Sequence, residues 1–366
     1  MQSRPLRKPS EMLDTLDPFV HIPVAHSRLP EVDFDRLQFG RTFSDHMFLL
    51  EYANGAWQQG RIEPYGPFTL SPASMVFHYG QAIFEGMKAY RQTDGTVSLF
   101  RPGSNIARFN RSAARMSMPA VPEDVFMDAL TALLRVDEAW VPSREDSSLY
   151  LRPFMIATDP FIGVRPSETY VFAIFTCPVN AYYTEPVRVK VETHFTRACP
   201  GGTGAAKAAG NYAGSYFPAS RAQQQGYHQL LWTDATEHAY VEESGTMNAM
   251  FVIDGVLTTP VLSDSILAGI TRDSVLTLAK DLGIPTEERR VSVSELQAGI
   301  LDGTVTEAFG VGTAATIAPM AAISFDGQDL ALPEVSGWRI APRVSVELDA
   351  IRRGRIEDRF GWNIPV

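Results

Sequence analysis

The residue best suited to covalent chemistry is Lys207, which lies in a run of small residues. The segment 195–215 contains five glycines, and alanines flank the lysine on both sides. Such neighbours offer the ammonium no charged partner, and desolvation favours the neutral amine. A neutral amine attacks carbonyl compounds and forms a Schiff base with them. The local composition therefore favours a Schiff-base lysine.

Two other interpretations of this segment compete with a Schiff-base lysine. Glycine clusters are common in flexible surface loops, where a lysine is solvated. A phosphate-binding P-loop is a second possibility, but it needs Gly-Lys followed by Ser or Thr to hold magnesium. Ala206 precedes Lys207 and Ala208 follows it, so the nucleotide-binding interpretation fails. The residues alone leave the loop and the Schiff base open.

The length of the chain and one interruption in its strand pattern predict two domains. The chain has 366 residues, which suits two domains of roughly 150 residues each. The stretch 178–186 contains proline at both ends and breaks the alternation of apolar and polar residues. We therefore predict an N-terminal domain over residues 1–178, a linker over 179–186 and a C-terminal domain over 187–366.

The elements around the lysine segment form a mixture of strands and helices. In the first half, Asn54-Gly55 and Asp94-Gly95 predict hairpins, and Asn105 is the expected N-cap of a helix over 106–115. In the second half, residues 187–192 alternate as a half-buried strand. A helix is predicted over 271–282, ending at Gly283. The fold class is α/β, with an α+β first half and many short strands in the second.

Composition excludes several classes of function. The net charge of −10 argues against a nucleic-acid-binding surface, which requires a basic patch. No apolar run approaches the ~18 residues of a membrane span. The charged N-terminal residues are not followed by the apolar segment of a secretory signal. Only Cys177 and Cys199 are present, which indicates reduced thiols in a cytoplasmic protein.

Six segments in order along most of the chain resemble the branched-chain amino-acid aminotransferases, which are pyridoxal-phosphate enzymes of fold type IV. Each segment alone is a weak signal, whereas six in the family's order are a specific one. The segments are Phe77–Tyr90, Leu149–Pro153, Thr196–Tyr212, Glu243–Asn248, Gly269–Arg272 and Phe309–Ala314.

The resemblance implies a fold and an activity. The expected fold is a small N-terminal α/β domain and a larger, barrel-like α/β domain in a homodimer. The expected reaction is amino transfer from leucine, isoleucine or valine to 2-oxoglutarate by a ping-pong route, with pyridoxal 5'-phosphate as cofactor and no metal. Within the same fold type, a D-amino-acid aminotransferase or an aminodeoxychorismate lyase is the alternative. A non-catalytic protein that binds a phosphorylated metabolite is a more distant one.

The resemblance also implies which residues hold the cofactor. Lys207 is the Schiff-base lysine, and Glu243 is the acid at the pyridine nitrogen. Strand alternation turns the neighbouring Glu242 to the opposite face. Because Gly269-Ile-Thr271 opens a predicted helix, its amides are free to face an anion. The cofactor-binding set is Lys207, Arg108, Tyr212, Glu243, Ile270, Thr271 and Thr313.

The substrate residues follow from the same resemblance. Amides at Thr313 and Ala314 are expected to bind the α-carboxylate, and an aromatic wall is expected to hold the aliphatic side chain. Arg152, together with Tyr79, is the candidate partner for the second carboxylate of glutamate. One departure is that Ala315 and Ala318 replace the Cys-x-x-Cys pair of some animal members. The substrate-binding set is Tyr79, Phe84, Tyr150, Arg152, Thr313 and Ala314.

Overall fold

The structure is a computed structural model that describes residues 14–16, 18–183 and 185–366. The helices are α1 (Met75–Tyr79), α2 (Pro102–Arg115), α3 (Glu123–Val136), α4 (Gly210–Ala213), α5 (Tyr216–Gln224), α6 (Ile270–Asp281), α7 (Val293–Asp302) and α8 (Ile340–Arg352). Within the described residues, no helix is long and apolar enough to cross a membrane.

The strands of the first half form one sheet. They are β1 (Asp14–Leu16), β2 (Phe19–His21), β3 (His46–Ala53), β4 (Ala56–Trp57), β5 (Arg61–Pro64), β6 (Ala82–Phe84), β7 (Met87–Arg91), β8 (Val97–Phe100), β9 (Ser148–Ala157) and β10 (Tyr170–Val179). The order is β1-β2-β5-β3-β10-β9-β7-β8, with β4 beside β3 and β6 beside β9. Both predicted hairpins are present, since β4 pairs with β3 and β7 with β8.

The strands of the second half form one sheet, and six of them close into a barrel. They are β11 (Val187–Glu192), β12 (Gln229–Thr233), β13 (Tyr240–Ser244), β14 (Met247–Ile253), β15 (Val256–Pro260), β16 (Thr286–Arg289), β17 (Val291–Ser292), β18 (Val305–Gly312), β19 (Thr316–Phe325) and β20 (Gln328–Ala331). Neighbouring strands run β14-β18-β19-β11-β12-β13, and β13 also pairs with β14. The expected mixed α/β fold with a barrel-like second sheet is confirmed.

The last strand, β21 (Asn363–Pro365), returns to the first sheet and pairs with β8. The first sheet otherwise ends at Val179 and the barrel begins at Val187. The predicted domain bounds 1–178, 179–186 and 187–366 remain a prediction, and β21 crosses the proposed division.

Each sheet covers its own apolar core. In the first half, Phe109 of α2, Phe126 of α3 and Phe172 of β10 pack with ring centroids 5.5–6.1 Å apart. In the second half, Leu278 of α6 and Leu348 of α8 pack against the barrel. Each large apolar side chain buried in this way contributes roughly 1.5–3 kcal/mol. The two cores hold the elements that carry the candidate site.

One predicted helix start is wrong. Asn105 was expected to cap a helix at residue 106, but α2 begins at Pro102 and Asn105 lies buried inside its first turns. Proline is well suited to a first helical position, because its missing N–H would have no partner there. The Asn105 side chain instead donates to the Glu85 carboxylate, at 2.7 Å.

Candidate active site

A cavity of about 570 Å³ lies between the first sheet and the barrel, and the lysine segment lines it. The backbone around Lys207 is held by β6: the Phe84 N–H donates to the Lys207 carbonyl at 3.1 Å, and the Ala209 N–H donates to the Ala82 carbonyl at 3.0 Å. The Lys207 N–H also donates to Ser112 Oγ at 2.9 Å. The glycine-rich segment is therefore an anchored part of the site, not a free surface loop.

The Lys207 side chain points at aromatic groups. Its Nζ donates to the Tyr212 hydroxyl at 3.1 Å and lies 4.8 Å from the centre of the Phe84 ring. In the part of the chain that the structure describes, no carboxylate forms an ion pair with Lys207. The amine is thus available to a ligand in the cavity.

The neighbouring acids Glu242 and Glu243 lie on opposite sides of β13. Glu243 lines the cavity and is buried, whereas the Glu242 carboxylate accepts from Ser265 Oγ and lines a separate surface pocket. Burial raises the pKa of Glu243, opposed by Arg197 and by the Leu267 N–H, which donates to it at 2.7 Å. Arg197 Nε lies 3.2 Å from this carboxylate, without the alignment of a hydrogen bond.

Arg108 lies at the end of the cavity where α6 begins, and it is held by Glu85. Its Nε and Nη2 donate to the two oxygens of Glu85 at 2.7 and 2.8 Å, and its Nη1 donates to the Ala268 carbonyl at 3.1 Å. Burial disfavours the charge on Glu85, but the charge and hydrogen bonds of Arg108 lower the pKa of this carboxyl. Arg108 lines the cavity beside this fixed contact.

The N-terminus of α6 reaches the same end of the cavity. Ile270 and Thr271 line it, and the first N–H groups of a helix have no partners within the helix. A Cβ at Gly269 would lie 1.9 Å from Asn248 Oδ1, so only glycine allows this close approach. The arginine and the helix amides together form a region suited to an anion.

The turn between β18 and β19 also lines the cavity. Gly312 pairs with Thr316, and Thr313, Ala314 and Ala315 form the loop between them. Among the described residues, no backbone carbonyl accepts a hydrogen bond from the N–H groups of these three residues. They are available to an acceptor such as a carboxylate.

Aromatic side chains and one arginine form the remaining wall. Arg152 Nη2 donates to the Tyr150 hydroxyl at 3.1 Å, and the guanidinium lies over the Phe84 and Tyr150 rings at 4.7 and 5.4 Å. A Cβ at Gly86 would lie 2.0 Å from the Tyr150 hydroxyl, so glycine is required there. No acid among the described residues pairs with Arg152, and its Nε is buried without a partner.

The structure brings all but one of the predicted site residues to this cavity. The exception is Tyr79, which ends α1 on the protein surface with 42% of its area exposed and donates to the Ile162 carbonyl. Gly80 follows with φ +60° and turns the chain away, so Tyr79 does not reach the cavity of its own chain. The residues that line the cavity as predicted are Lys207, Arg108, Tyr212, Glu243, Ile270, Thr271, Thr313, Phe84, Tyr150, Arg152 and Ala314.

Several residues of the site were missed in the sequence. Phe39 comes from the N-terminal segment, and Tyr182 and Tyr183 come from the predicted linker. The signal that could have indicated these three residues is their aromatic character in stretches that have no strand or helix pattern. Arg197 and Glu85 were also missed, although both lie within segments that carry the resemblance.

Comparison with known proteins decides the family. Residues 82–323 match the family described as Amino-transferase class IV. Branched-chain-amino-acid transaminase 1 of Bacillus subtilis is 45% identical over 339 residues, covering 91% of this chain and 95% of its own. The chain belongs to the branched-chain amino-acid aminotransferase family. It is an aminotransferase of class IV.

Solved structures agree with this family. The branched-chain aminotransferase from Thermoproteus uzoniensis with norvaline superposes with a TM-score of 0.73 at 28% identity, covering 87% of this chain and 99% of that one. The branched-chain amino acid aminotransferase from Thermobaculum terrenum in its PLP form gives 0.68 at 25% identity, covering 87% and 97%. Fold type IV is therefore shown for this aminotransferase.

Proposed function

We propose that this aminotransferase exchanges amino groups between leucine, isoleucine or valine and 2-oxoglutarate, with pyridoxal 5'-phosphate as cofactor. The observation that carries the proposal is the arrangement of one cavity. Lys207 lies in it with a buried carboxylate, a helix end suited to an anion, and an aromatic wall whose arginine has no acidic partner among the described residues. Family membership removes the support for a non-catalytic binding protein.

The residues of the cavity fit the proposed cofactor. A phosphate carries nearly two negative charges, and Arg108, the free amides of α6 and the hydroxyls of Thr271 and Thr313 supply donors at one end. Glu243 supplies a buried carboxylate for the ring nitrogen. The Gly269–Asn248 approach leaves no room for a larger side chain beside the helix end. The donor set matches a phosphorylated pyridine aldehyde.

Each residue has a defined task in the proposed reaction. When bound, pyridoxal phosphate supplies a carbonyl that accepts the amino group and a ring that withdraws electrons. Lys207 Nζ carries the proton to and from the substrate α-carbon. Tyr212 orients this amine through the 3.1 Å hydrogen bond, and Glu243 holds a proton at the ring nitrogen.

The same cavity serves an aliphatic and an acidic substrate in turn. The amides of the 313–315 loop suit the α-carboxylate that both substrates share. The rings of Phe84 and Tyr150 give an aliphatic side chain apolar area. Arg152, which pairs with no acid in the described part of the chain, suits the second carboxylate of glutamate. Burying a carboxylate without such a partner is costly.

The activity is tested with the purified chain and added pyridoxal phosphate. We expect leucine and 2-oxoglutarate to give glutamate and 4-methyl-2-oxopentanoate, and we expect double-reciprocal plots at several acceptor concentrations to be parallel, as a ping-pong route requires. D-Alanine and aminodeoxychorismate are the comparison substrates. Faster turnover of either one than of leucine would overturn the proposal in favour of that other activity.

The covalent role of Lys207 is tested by borohydride reduction of the cofactor-loaded protein and peptide mapping. We expect the pyridoxyl label on Lys207, because its amine lies in the cavity and forms no ion pair with any described acid. Lys190, which donates to Gln225 outside the cavity, is the internal control. A label on Lys190 or Lys280 instead would refute the assignment.

Discrimination between the two substrates is tested with Arg152→Met. Loss of one charge-assisted contact costs about 1.5–3 kcal/mol, so kcat/KM for glutamate should fall roughly ten- to hundredfold more than for leucine. Arg221→Met is a matched control, since Arg221 lies on α5 against Phe217. Equal losses for both substrates would mean that Arg152 supports the pocket and does not discriminate.

We also propose a cytoplasmic homodimer. Both cysteines are free, which supports a reducing compartment. Phe77, Tyr79 and the loop residues Phe161, Ile162 and Val164 leave large apolar areas exposed together, and exposed patches of this kind are typical of interfaces.

The dimer is tested by sedimentation of the wild type and of Val164→Asp. We expect a dimer for the wild type and a shift to monomer for the variant, because an isolated carboxylate is costly to bury in an interface. A monomeric wild type would contradict the proposal. Val346→Asp, at an exposed position of α8, is the control.

A further inference from the structure

A buried lysine outside the cavity, Lys88 on β7, lies behind the 313–315 loop. Only 9% of its area is exposed, and its Nζ donates to the Ala314 carbonyl at 3.0 Å. Among the residues that the structure describes, no carboxylate lies within ion-pair distance of Lys88. Burial of an ammonium is costly, so its placement against one backbone carbonyl calls for a role.

The geometry of the peptide bond gives this contact a direction. In a trans peptide the C=O of one residue and the N–H of the next point in opposite directions. Since the Ala314 carbonyl is directed at Lys88, the Ala315 N–H points away from Lys88. Ala314 and Ala315 both line the large cavity. The lysine therefore fixes the orientation of an amide that faces the substrate space.

The same loop is held at its end by a second cation. Arg352 Nη1 of α8 donates to Thr316 Oγ1 at 3.0 Å. Thr316 has φ +64°, a left-handed conformation that is an outlier for a β-branched residue. Such a backbone is strained and persists only where the surroundings impose it. The loop is thus held in a fixed, strained shape from behind.

We propose that Lys88 is a positioning residue for the substrate α-carboxylate: it holds the Ala314 carbonyl so that the loop amides point into the cavity, with Arg352 supporting the loop at Thr316. This inference rests on the proposed function and deepens it. Lys88 does not line the large cavity itself, so it acts through the loop. Because both substrates share the α-carboxylate, it affects leucine and glutamate alike, unlike Arg152.

The surroundings of Lys88 also make its charge sensitive to pH. Burial and the charges of Arg352 and Arg353 lower the pKa of Lys88 to about 7, with Asp349 and Cys177 opposing this shift. Tyr90 and Tyr150 are the other titratable neighbours, on β7 itself and on the paired strand β9. The neutral amine still donates to Ala314, so the contact survives above pH 7 while the positive charge behind the loop is lost.

The test uses the cofactor-loaded protein and the ligand 4-methylpentanoate, which is leucine without its amino group. Calorimetry should show roughly tenfold weaker binding of this acid to Lys88→Met, the loss of about one hydrogen bond and its charge. Binding of the uncharged 4-methylpentanamide should change little. KM for leucine and for glutamate should rise by similar factors, with a smaller change in kcat.

Two further variants separate orientation from charge. Lys88→Gln keeps a donor for the Ala314 carbonyl and should restore part of the lost affinity, and it also serves where Lys88→Met does not fold. Wild-type affinity for 4-methylpentanoate should fall as pH rises through about 7, and this component should be absent in Lys88→Gln. Lys190→Met is the control variant, since Lys190 donates to Gln225 outside the site.

These experiments test the positioning role of Lys88 separately from the proposed function. Unchanged binding of 4-methylpentanoate to both Lys88 variants would overturn the inference, as would an equal loss of the acid and the amide. A wild-type protein that binds the acid but transfers no amino group from leucine would overturn the proposed function. The binding measurements would then decide the role of Lys88 by themselves.

Discussion

Glu85, which lies behind Arg108, and Glu243, which lines the cavity, differ in how an arginine meets their carboxylates. Both are buried. Arg108 binds Glu85 with two hydrogen bonds of 2.7 and 2.8 Å, and Asn105 adds a third at 2.7 Å. Arg197 approaches Glu243 with a single contact of 3.2 Å that lacks hydrogen-bond alignment.

The electrostatic consequences are opposite. Burial opposes ionisation of both carboxyls. At Glu85 the paired guanidinium outweighs burial and lowers the pKa, whereas at Glu243 burial outweighs Arg197 and raises it. Two well-aligned hydrogen bonds to a guanidinium are much stronger than one poorly aligned contact. Glu85 therefore stays negatively charged. The Glu243 carboxyl can still interact with a proton on a ligand.

The two glutamate–arginine pairs thus have different roles around this cavity. The Glu85–Arg108 pair fixes the position of Arg108 and leaves its outer face to an anion. The Glu243 carboxylate remains in the cavity with the Leu267 N–H as a donor at 2.7 Å and Arg197 in unaligned contact only. Changes at Glu85 should thus act mainly on stability, and changes at Glu243 mainly on catalysis.

The largest effect is expected for Glu85→Ala. This change leaves the Arg108 guanidinium buried without its partner, which typically costs 3–5 kcal/mol. The free energy of unfolding in urea measures this loss. Replacing both partners, as Glu85→Met with Arg108→Met, should recover most of the stability because no buried charge remains. A loss below about 1 kcal/mol for Glu85→Ala would show that water or another group compensates Arg108.

The next effect is expected for Glu243→Gln. The amide cannot hold the proton at the ring nitrogen, so the leucine half-reaction should slow by about 10²–10³-fold, as for loss of a strong electrostatic contact in a site. Stopped-flow absorbance measures the rate, and urea unfolding should show a much smaller loss than for Glu85→Ala. Glu242→Gln is the matched control, and a large effect there with none at Glu243 would exchange their roles.

Most residues that line the cavity could be named from the sequence because they lie in the local segments that carry the family resemblance. Lys207 was indicated by its small neighbours, and strand alternation separated Glu242 from Glu243 before the structure placed them on opposite faces of β13. The closed barrel could not be derived from periodicity. The β13–β14 pairing that closes it joins neighbouring strands whose pattern is compatible with an open sheet.

The remaining parts of the site depend on contacts that sequence spacing does not encode. Glu85 and Arg108 are 23 positions apart, and Arg197 and Glu243 are 46 apart, so neither pairing follows from helix or strand periodicity. Tyr79 was placed in the aromatic wall through the family's motif. That motif does not distinguish a residue that faces its own cavity from one on the surface.

The smallest expected effect is on the pH dependence of stability, and it tests the comparison through the sign of a slope. With the cofactor removed, the pKa of Glu85 in the folded chain lies below the ordinary value of 4.5, and that of Glu243 lies above it. For Glu85, the stabilisation is complete above pH 4.5 and is lost as pH falls through the lower folded pKa. The difference in unfolding free energy between the wild type and Glu85→Gln should therefore shrink with acidification.

For Glu243, the folded chain binds more protons than the unfolded chain between pH 4.5 and its raised pKa, so the wild type should gain stability relative to Glu243→Gln as pH falls through that window. Each unit of pKa shift corresponds to about 1.4 kcal/mol, so urea unfolding at a series of pH values resolves the two slopes. Slopes of the same sign would mean that Arg197 neutralises Glu243 as fully as Arg108 neutralises Glu85.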